Sequence, residues 1–406
     1  MTPEPKTPAA DVVIVGAART PQGRMLGQLA PLSAVELGAA AIAEALSRAG
    51  VAPEQVDAVI MGQVLQSGAG QNPARQSAVA AGIPLGAPAV TVNKVCLSGL
   101  SAVIDAARML RLGEASVVVA GGQESMSQAP RLLAGTRAGT PFGPLTLLDS
   151  TAHDGLTDAF GHEAMGLATD RANNELGISR EVQDGIAVAS HLRAYEAARS
   201  GFWAEEIAPV KVPQRKGPEL EVTEDEGIRP DASPGGLARL RPAFSPEGTV
   251  TAGNASPLTD GAAAVVLTTR AAAERHRLPV LAVLRAHAQI AGPDTTLPDK
   301  PARAVQAALS LQGWCTDDLG FVEINEAFAS VSAHSAALLG LPSERVNPHG
   351  GGIAIGHPIG ASGARLMVTA VHELLRRGYG RTAVALCGGG GQGDAILIER
   401  HESPAS

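Results

Sequence analysis

The chain has 406 residues and a formal net charge of -8, from 32 Lys and Arg against 40 Asp and Glu. Its 45% hydrophobic content supports a sizeable core in two or three domains and excludes disorder, and the acidic balance without a basic stripe excludes a dedicated nucleic-acid binder. With 18% charged residues, 2% aromatics and 47 glycines, small side chains carry much of the packing.

Residues 1–10 are rich in Pro and Thr and lack the apolar stretch of a secretory signal. No segment reaches about 18 uninterrupted apolar residues, so no membrane contact is expected. The three cysteines, Cys96, Cys315 and Cys387, have neither disulfide nor metal-type spacing, which suits a reducing, cytoplasmic setting.

A first strand is expected over 11–18 (DVVIVGAA), then a helix over 33–50 and a strand over 57–61. Cys96 follows in VNKVCLSGLSAV, a short apolar strand meeting a Ser-Gly turn and a helix. There the helix dipole favours a thiolate, so Cys96 reads either as a nucleophile or as a buried cysteine packing as a small hydrophobe. The helix leads to a turn near Gly113 and a strand ending in Gly121-Gly122.

Residues 127–257 have a different character, with Pro and Gly loops, a polar stretch at 214–227 and a helix expected over 179–199. They read as a substrate-covering insertion or a surface linker. Beyond them the opening pattern returns. Residues 41–62 match 304–325 at an offset of 263, with Ala41/Ala304, Leu46/Leu309, Gly50/Gly313 and Val59/Val322 identical, and Ser98-Gly99 matches Ser362-Gly363 at 264. Two similar α/β halves follow from this repeat.

In the second half, Asn325 in EINEAFAS stands where a strand passes into a helix, either as an N-cap or as a site residue. His357 in HGGGIAIGHPIGASG is embedded in glycines that allow close backbone approach, and His349 reads as a satisfied loop histidine. Cys387 ends a strand and enters GGGGQG. Residues 388–393 match a dinucleotide fingerprint formally, but the following AILIE reads as a strand, which disfavours nicotinamide binding. A tight turn presenting N–H groups to an oxyanion fits better. Cys315, in a turn, reads as structural.

Taken together, VNKVCLSGL, GGQESMS, DGLTDAF, RPAFSPEGTVTAGNAS, NEAFA, GGGIAIGHPIGASGAR and CGGGGQG closely resemble the thiolase family, specifically acetyl-CoA C-acetyltransferases, over nearly the whole chain. The resemblance implies a five-layered α-β-α-β-α sandwich of two similar halves plus an inserted loop domain. The expected division is 1–126, N-terminal half; 127–257, coenzyme A-binding loop domain; 258–279, return to the first half; and 280–406, C-terminal half.

It further implies that Cys96 accepts an acetyl group, His357 deprotonates it, and Cys387 moves the α-proton of a second acetyl-CoA. Asn325 would hold a water that, with His357, stabilises the enolate oxygen, while the N–H groups of Cys96 and Gly389 form a second oxyanion hole. Ser256 would hydrogen-bond pantetheine, with Leu156, Met165, Phe244, Ala252 and Phe328 lining its tunnel. Ala164 stands where biosynthetic members often carry His, and Gly388 and Gln392 replace the usual Ile and Met. No metal or bound cofactor is implied, only coenzyme A thioesters as substrates, and a homotetramer, a dimer of dimers, is expected. Competing readings are a β-oxidation 3-ketoacyl-CoA thiolase, a noncatalytic acyl or sterol carrier on the same fold, and a cysteine hydrolase that would leave Cys387 idle.

Overall fold

A computed structural model describes residues 11–140 and 142–401. The expectation for 1–10 lies outside the described residues. The first half runs β1 (Val12–Arg19), α1 (Ala34–Ala49), β2 (Ala58–Gly62), α2 (Pro73–Ala80), β3 (Ala89–Val92), α3 (Ser98–Leu112) and β4 (Val117–Glu124). Ser33 starts α1 through a reciprocal capping box with Glu36, and Gly50 ends it in the left-handed conformation at φ +66°.

The intervening region holds α4 (Met165–Leu176) and α5 (Arg180–Arg199) between loops and short two-stranded ribbons. The chain continues through β5 (Thr259–Thr269), β6 (Ala282–Ala291), α6 (Lys300–Gln312), β7 (Phe321–Ile324), α7 (Ala329–Leu339), α8 (Ser362–Arg377), β8 (Gly380–Gly388) and β9 (Gln392–Arg400). The repeat seen in the sequence is thus repeated in elements, α1-β2 with α6-β7 and α3-β4 with α8-β8.

Nine strands form one run in the order β7-β8-β9-β6-β1-β5-β4-β2-β3. Each half has the same internal order about its centre. β5 pairs antiparallel with β1 and β4, and β4 runs parallel to β2; correspondingly, β9 pairs antiparallel with β6 and β8, and β8 runs parallel to β7. The halves meet where Val12–Ile14 pairs antiparallel with Ala282–Leu284.

Strand alternation assigns each side chain to a layer. In β5, Ala263, Val265 and Leu267 face α3 and α8, whereas Ala262, Ala264 and Val266 face the α1 side. In β9, Ile396 and Ile398 join the central core, and Ala395 and Leu397 pack with α6. A middle layer, α3 with α8, therefore lies between two sheet halves that are covered outside by α1 with α2 and by α6 with α7. This is the expected five-layered sandwich, and it sets the starts of α3 and α8 side by side at its centre.

Candidate active site

Cys96 lies in a turn rather than directly at a strand end, because β3 stops at Val92 and α3 begins at Ser98. Asn93 Oδ1 accepts from Val95 N at 3.0 Å, and Lys94 Nζ reaches the buried Asp394 Oδ1 at 2.7 Å. This pinning holds Val95 at φ +51°, a left-handed conformation that costs a β-branched residue about 1–2 kcal/mol. Asp394 lies in β9, so the ion pair ties the Cys96 turn to the strand that follows Cys387.

Cys387 and Gly388 end β8, where the hairpin pairs them with Gly393 and Gln392. At Gly391 φ is +69°, and a Cβ would lie 1.9 Å from the Asp294 carbonyl oxygen, so only glycine closes this turn. The fingerprint reading of 388–393 therefore gives way to a β-hairpin. A side chain at 388 would meet Leu97 Cγ at 2.6 Å; Leu97 occupies the space that the usual Ile would need.

The backbone N–H groups of Cys96 and Gly389 both direct hydrogen bonds at the Cys96 sulfur, while burial, the larger effect, pushes its thiol up to about 11. Burial, reinforced by the neighbouring Cys96 sulfur, raises the Cys387 thiol still further. His357 is 5% exposed, and its backbone N–H donates to Thr259 Oγ1 at 3.0 Å. Burial, with Arg365 nearby, pulls its imidazole down to about 3, so the ring is neutral at physiological pH.

Asn325 differs from one of its two sequence readings. The helix after β7 starts only at Ala329, so Asn325 caps nothing; its Nδ2 lies 3.4 and 3.3 Å from the two ring nitrogens of His357. Its Oδ1 is buried without a hydrogen-bond partner, as a site holding a water requires.

A cavity of about 320 Å³ joins these groups. Cys96, His357, Cys387 and Gly389 line it, together with Leu156, Met165, Phe244, Ser256 and Phe328. Ala252 is exposed and does not line it, and Asn325 lies behind His357 rather than in the wall. The Phe244 and Phe328 rings meet edge to face, with centroids 6.5 Å apart. Ala164 also lines the cavity and leaves the room a His there would fill.

Sequence reasoning missed Met126, Ile359 and Leu297 in the wall. Met126 and Ile359 sit inside the quoted GGQESMS and GHPIGASG motifs, where they were detectable; Leu297 had no signal. It also missed Glu124, whose buried carboxylate accepts from Val64 N, Leu65 N and Gly360 N at 3.0, 3.1 and 2.9 Å and so braces the His357 loop. His349 is satisfied, with Glu373 at 2.8 Å and Phe202 stacked 3.7 Å away, and Cys315 is exposed in a turn beside Asp318.

Residues 12–271 match the thiolase N-terminal domain and residues 278–400 the thiolase C-terminal domain. The chain belongs to the thiolase family. It is 50% identical over 388 residues to the "Probable acetyl-CoA acetyltransferase" of Mycolicibacterium smegmatis, covering 96% of this chain and 100% of that one. The acetyl-CoA acetyltransferase of Cupriavidus necator is 48% identical, covering 96% of this chain and 99% of its own. A crystal structure of the Bacillus anthracis acetyl-CoA acetyltransferase superposes with a TM-score of 0.94 at 38% identity, covering 96% and 99% of the two chains. This thiolase is accordingly an acyltransferase acting on coenzyme A thioesters.

Proposed function

We propose that the protein is an acetyl-CoA C-acetyltransferase that reversibly condenses two acetyl-CoA into acetoacetyl-CoA and coenzyme A through an acetyl-Cys96 thioester. The observation that carries this reading is the convergence of Cys96, His357 and Cys387 on one apolar cavity, with two N–H groups aimed at the nucleophile's sulfur. A buried thiol at about 11 is a poor nucleophile by itself, so His357, neutral and adjoining the same cavity, takes its proton. The thiolate attacks the acetyl carbonyl and coenzyme A leaves.

The second acetyl-CoA must then lose a weakly acidic α-proton. A thiolate whose thiol is held well above its ordinary value is a correspondingly strong base, which suits Cys387 to that step. The N–H groups of Cys96 and Gly389 would stabilise the oxyanion of the attacked thioester, each such donor being worth about 3 kcal/mol, and Asn325 with His357 would stabilise the enolate oxygen through a water.

The pantetheine arm would enter along the cavity wall that Phe244 and Phe328 form. Ser256 Oγ donates its hydrogen to the Ala327 carbonyl at 3.1 Å, so its lone pairs are left to accept an amide N–H. Leu156 and Met165 supply apolar wall, consistent with a division in which 127–257 is the coenzyme A-binding loop domain between 1–126 and 258–279, with 280–406 as the second half.

Leu133, Phe142, Leu145 and Leu147 expose apolar surface on one loop region, and Val90 does so on the edge strand β3. Such patches favour assembly, in keeping with a homotetramer built as a dimer of dimers; light scattering that finds a monomer refutes it. Among the described residues no helix is long and apolar enough to cross a membrane, and all three cysteines are free, in keeping with a cytoplasmic location. Mass spectrometry after incubation with acetyl-CoA should find an acetyl group on Cys96, and its absence from active protein sinks the mechanism. Thiolysis of acetoacetyl-CoA should exceed that of a long-chain ketoacyl-CoA; the reverse preference favours the β-oxidation reading.

A further inference from the structure

The two central helices begin alike in hydrogen bonding as well as in sequence. At the start of α3, Ser98 Oγ accepts from Lys94 N at 2.8 Å and donates to the Val95 carbonyl at 2.6 Å, closing the turn around Cys96. At the matching position of α8, Ser362 Oγ donates to the Pro358 carbonyl at 3.0 Å, closing the turn that carries His357, and lies 2.5 Å from His357 Nδ1.

A serine hydroxyl has one hydrogen and two lone pairs. With its hydrogen on the Pro358 carbonyl, Ser362 presents a lone pair to Nδ1, which must then carry the ring hydrogen. Asn325 does not compete for that nitrogen. Its Nδ2 is almost equidistant from both ring nitrogens, whose in-plane directions diverge, so it lies in line with neither. Arg365, one turn farther along α8, is fully buried without a hydrogen-bond partner, its Nη1 3.7 Å from Glu323 Oε2, and its charge opposes a second proton on the resting ring.

We propose that Ser362 is a positioning residue that holds His357 in its Nδ1–H tautomer, leaving the Nε2 lone pair to accept the Cys96 proton. In that step the S–H bond breaks, the proton passes to Nε2, and the electron pair stays on sulfur as the attacking thiolate. The Nδ1 hydrogen remains donated to Ser362 throughout. The inference rests on the proposed role of His357 as the base for Cys96.

The test compares Cys96 alkylation by iodoacetamide, together with kcat and KM for acetyl-CoA, in the full-length wild type, Ser362→Ala, Ser362→Thr and His357→Asn. Ser362→Ala should lose about 10- to 100-fold in both alkylation rate and kcat, part of what a general base contributes, with KM changed less than about threefold. Ser362→Thr, which keeps the hydroxyl, should stay within about threefold of wild type. If His357→Asn is slow while Ser362→Ala alkylates at the wild-type rate, the inference is overturned and the base role of His357 survives. If His357→Asn alkylates at the wild-type rate, the base role itself fails and the inference falls with it. Should Ser362→Ala not fold, Ser362→Cys against Ser362→Thr decides, because a thiol is a weak acceptor; equal rates overturn the inference.

Discussion

Replacing His357 with Asn isolates the contribution of the base. The Cys96 thiol stands at about 11 because burial outweighs the two N–H groups directed at its sulfur. At pH 8 such a thiol, unaided, is ionised in only about one molecule in 10³. His357, its imidazole pulled down to about 3 by burial and Arg365, is unprotonated from pH 5 to 9 while Cys96 is a thiol, and the thiolate that forms in the same cavity raises its proton affinity. Wild-type acetyl transfer to Cys96 should therefore be nearly independent of pH over that range. His357→Asn should lose about 10³-fold at pH 8, within the range expected for a positioned base, and its residual rate should climb about tenfold per pH unit as the thiol ionises by itself. Rapid quench of the single-turnover reaction with mass detection of acetyl-Cys96 measures both. A loss of less than about tenfold, or a wild-type rate that itself climbs tenfold per unit, would refute the reasoning.

Cys387→Ala should leave Cys96 acetylation intact while lowering condensation by about 10²–10⁴-fold, read from the acetyl-enzyme and from acetoacetyl-CoA formed; equal loss of both contradicts separate roles. Gly388→Ile should clash with Leu97, whose Cγ a Cβ at 388 would meet at 2.6 Å, and Leu97→Gly should relieve it. The double-mutant cycle should show coupling of about 0.5–3 kcal/mol in denaturant unfolding, and additive effects contradict the shared space. Because His357 is neutral when folded and titrates near 6.5 when unfolded, the unfolded chain binds the extra proton between about pH 6.5 and 3, so its share of stability is complete above 6.5 and is lost on acidification. At pH 5.5 this amounts to about 1.4 kcal/mol, and His357→Asn should show that much less loss between pH 7.5 and 5.5; an unchanged slope argues against a neutral buried ring.

Much of the architecture was legible before any coordinates. The offset of 263–264 between halves, the apolar run over 12–18, the helix end at Gly50 and the turn near Gly113 are local patterns, written within a few residues of where they act. Strand and helix limits accordingly shifted by only a residue or so in α1, β2 and α5. Local pattern was weaker at the junctions. The Cys96 turn and the stretch from Asn325 to Ala327 are neither strand nor cap, because their geometry is imposed by side chains arriving from elsewhere, Asp394 on Lys94 and the His357 ring beside Asn325.

What the chain determined by itself is the pair of repeated α/β units and the chemical character of the residues at their ends. Only the tertiary structure decided that the ends meet. Cys96 and His357 are far apart in the chain, and they share a cavity because α3 and α8 pack as one central layer between the two sheet halves. Packing also separated Ala252 from the wall, put Leu97 where an Ile at 388 would go, and brought Ser362 to Nδ1 of His357. The physical reason is that burial, a neighbouring sulfur and a shared hydrogen are properties of contacts between distant segments, whereas periodicity and capping are properties of neighbours in the chain.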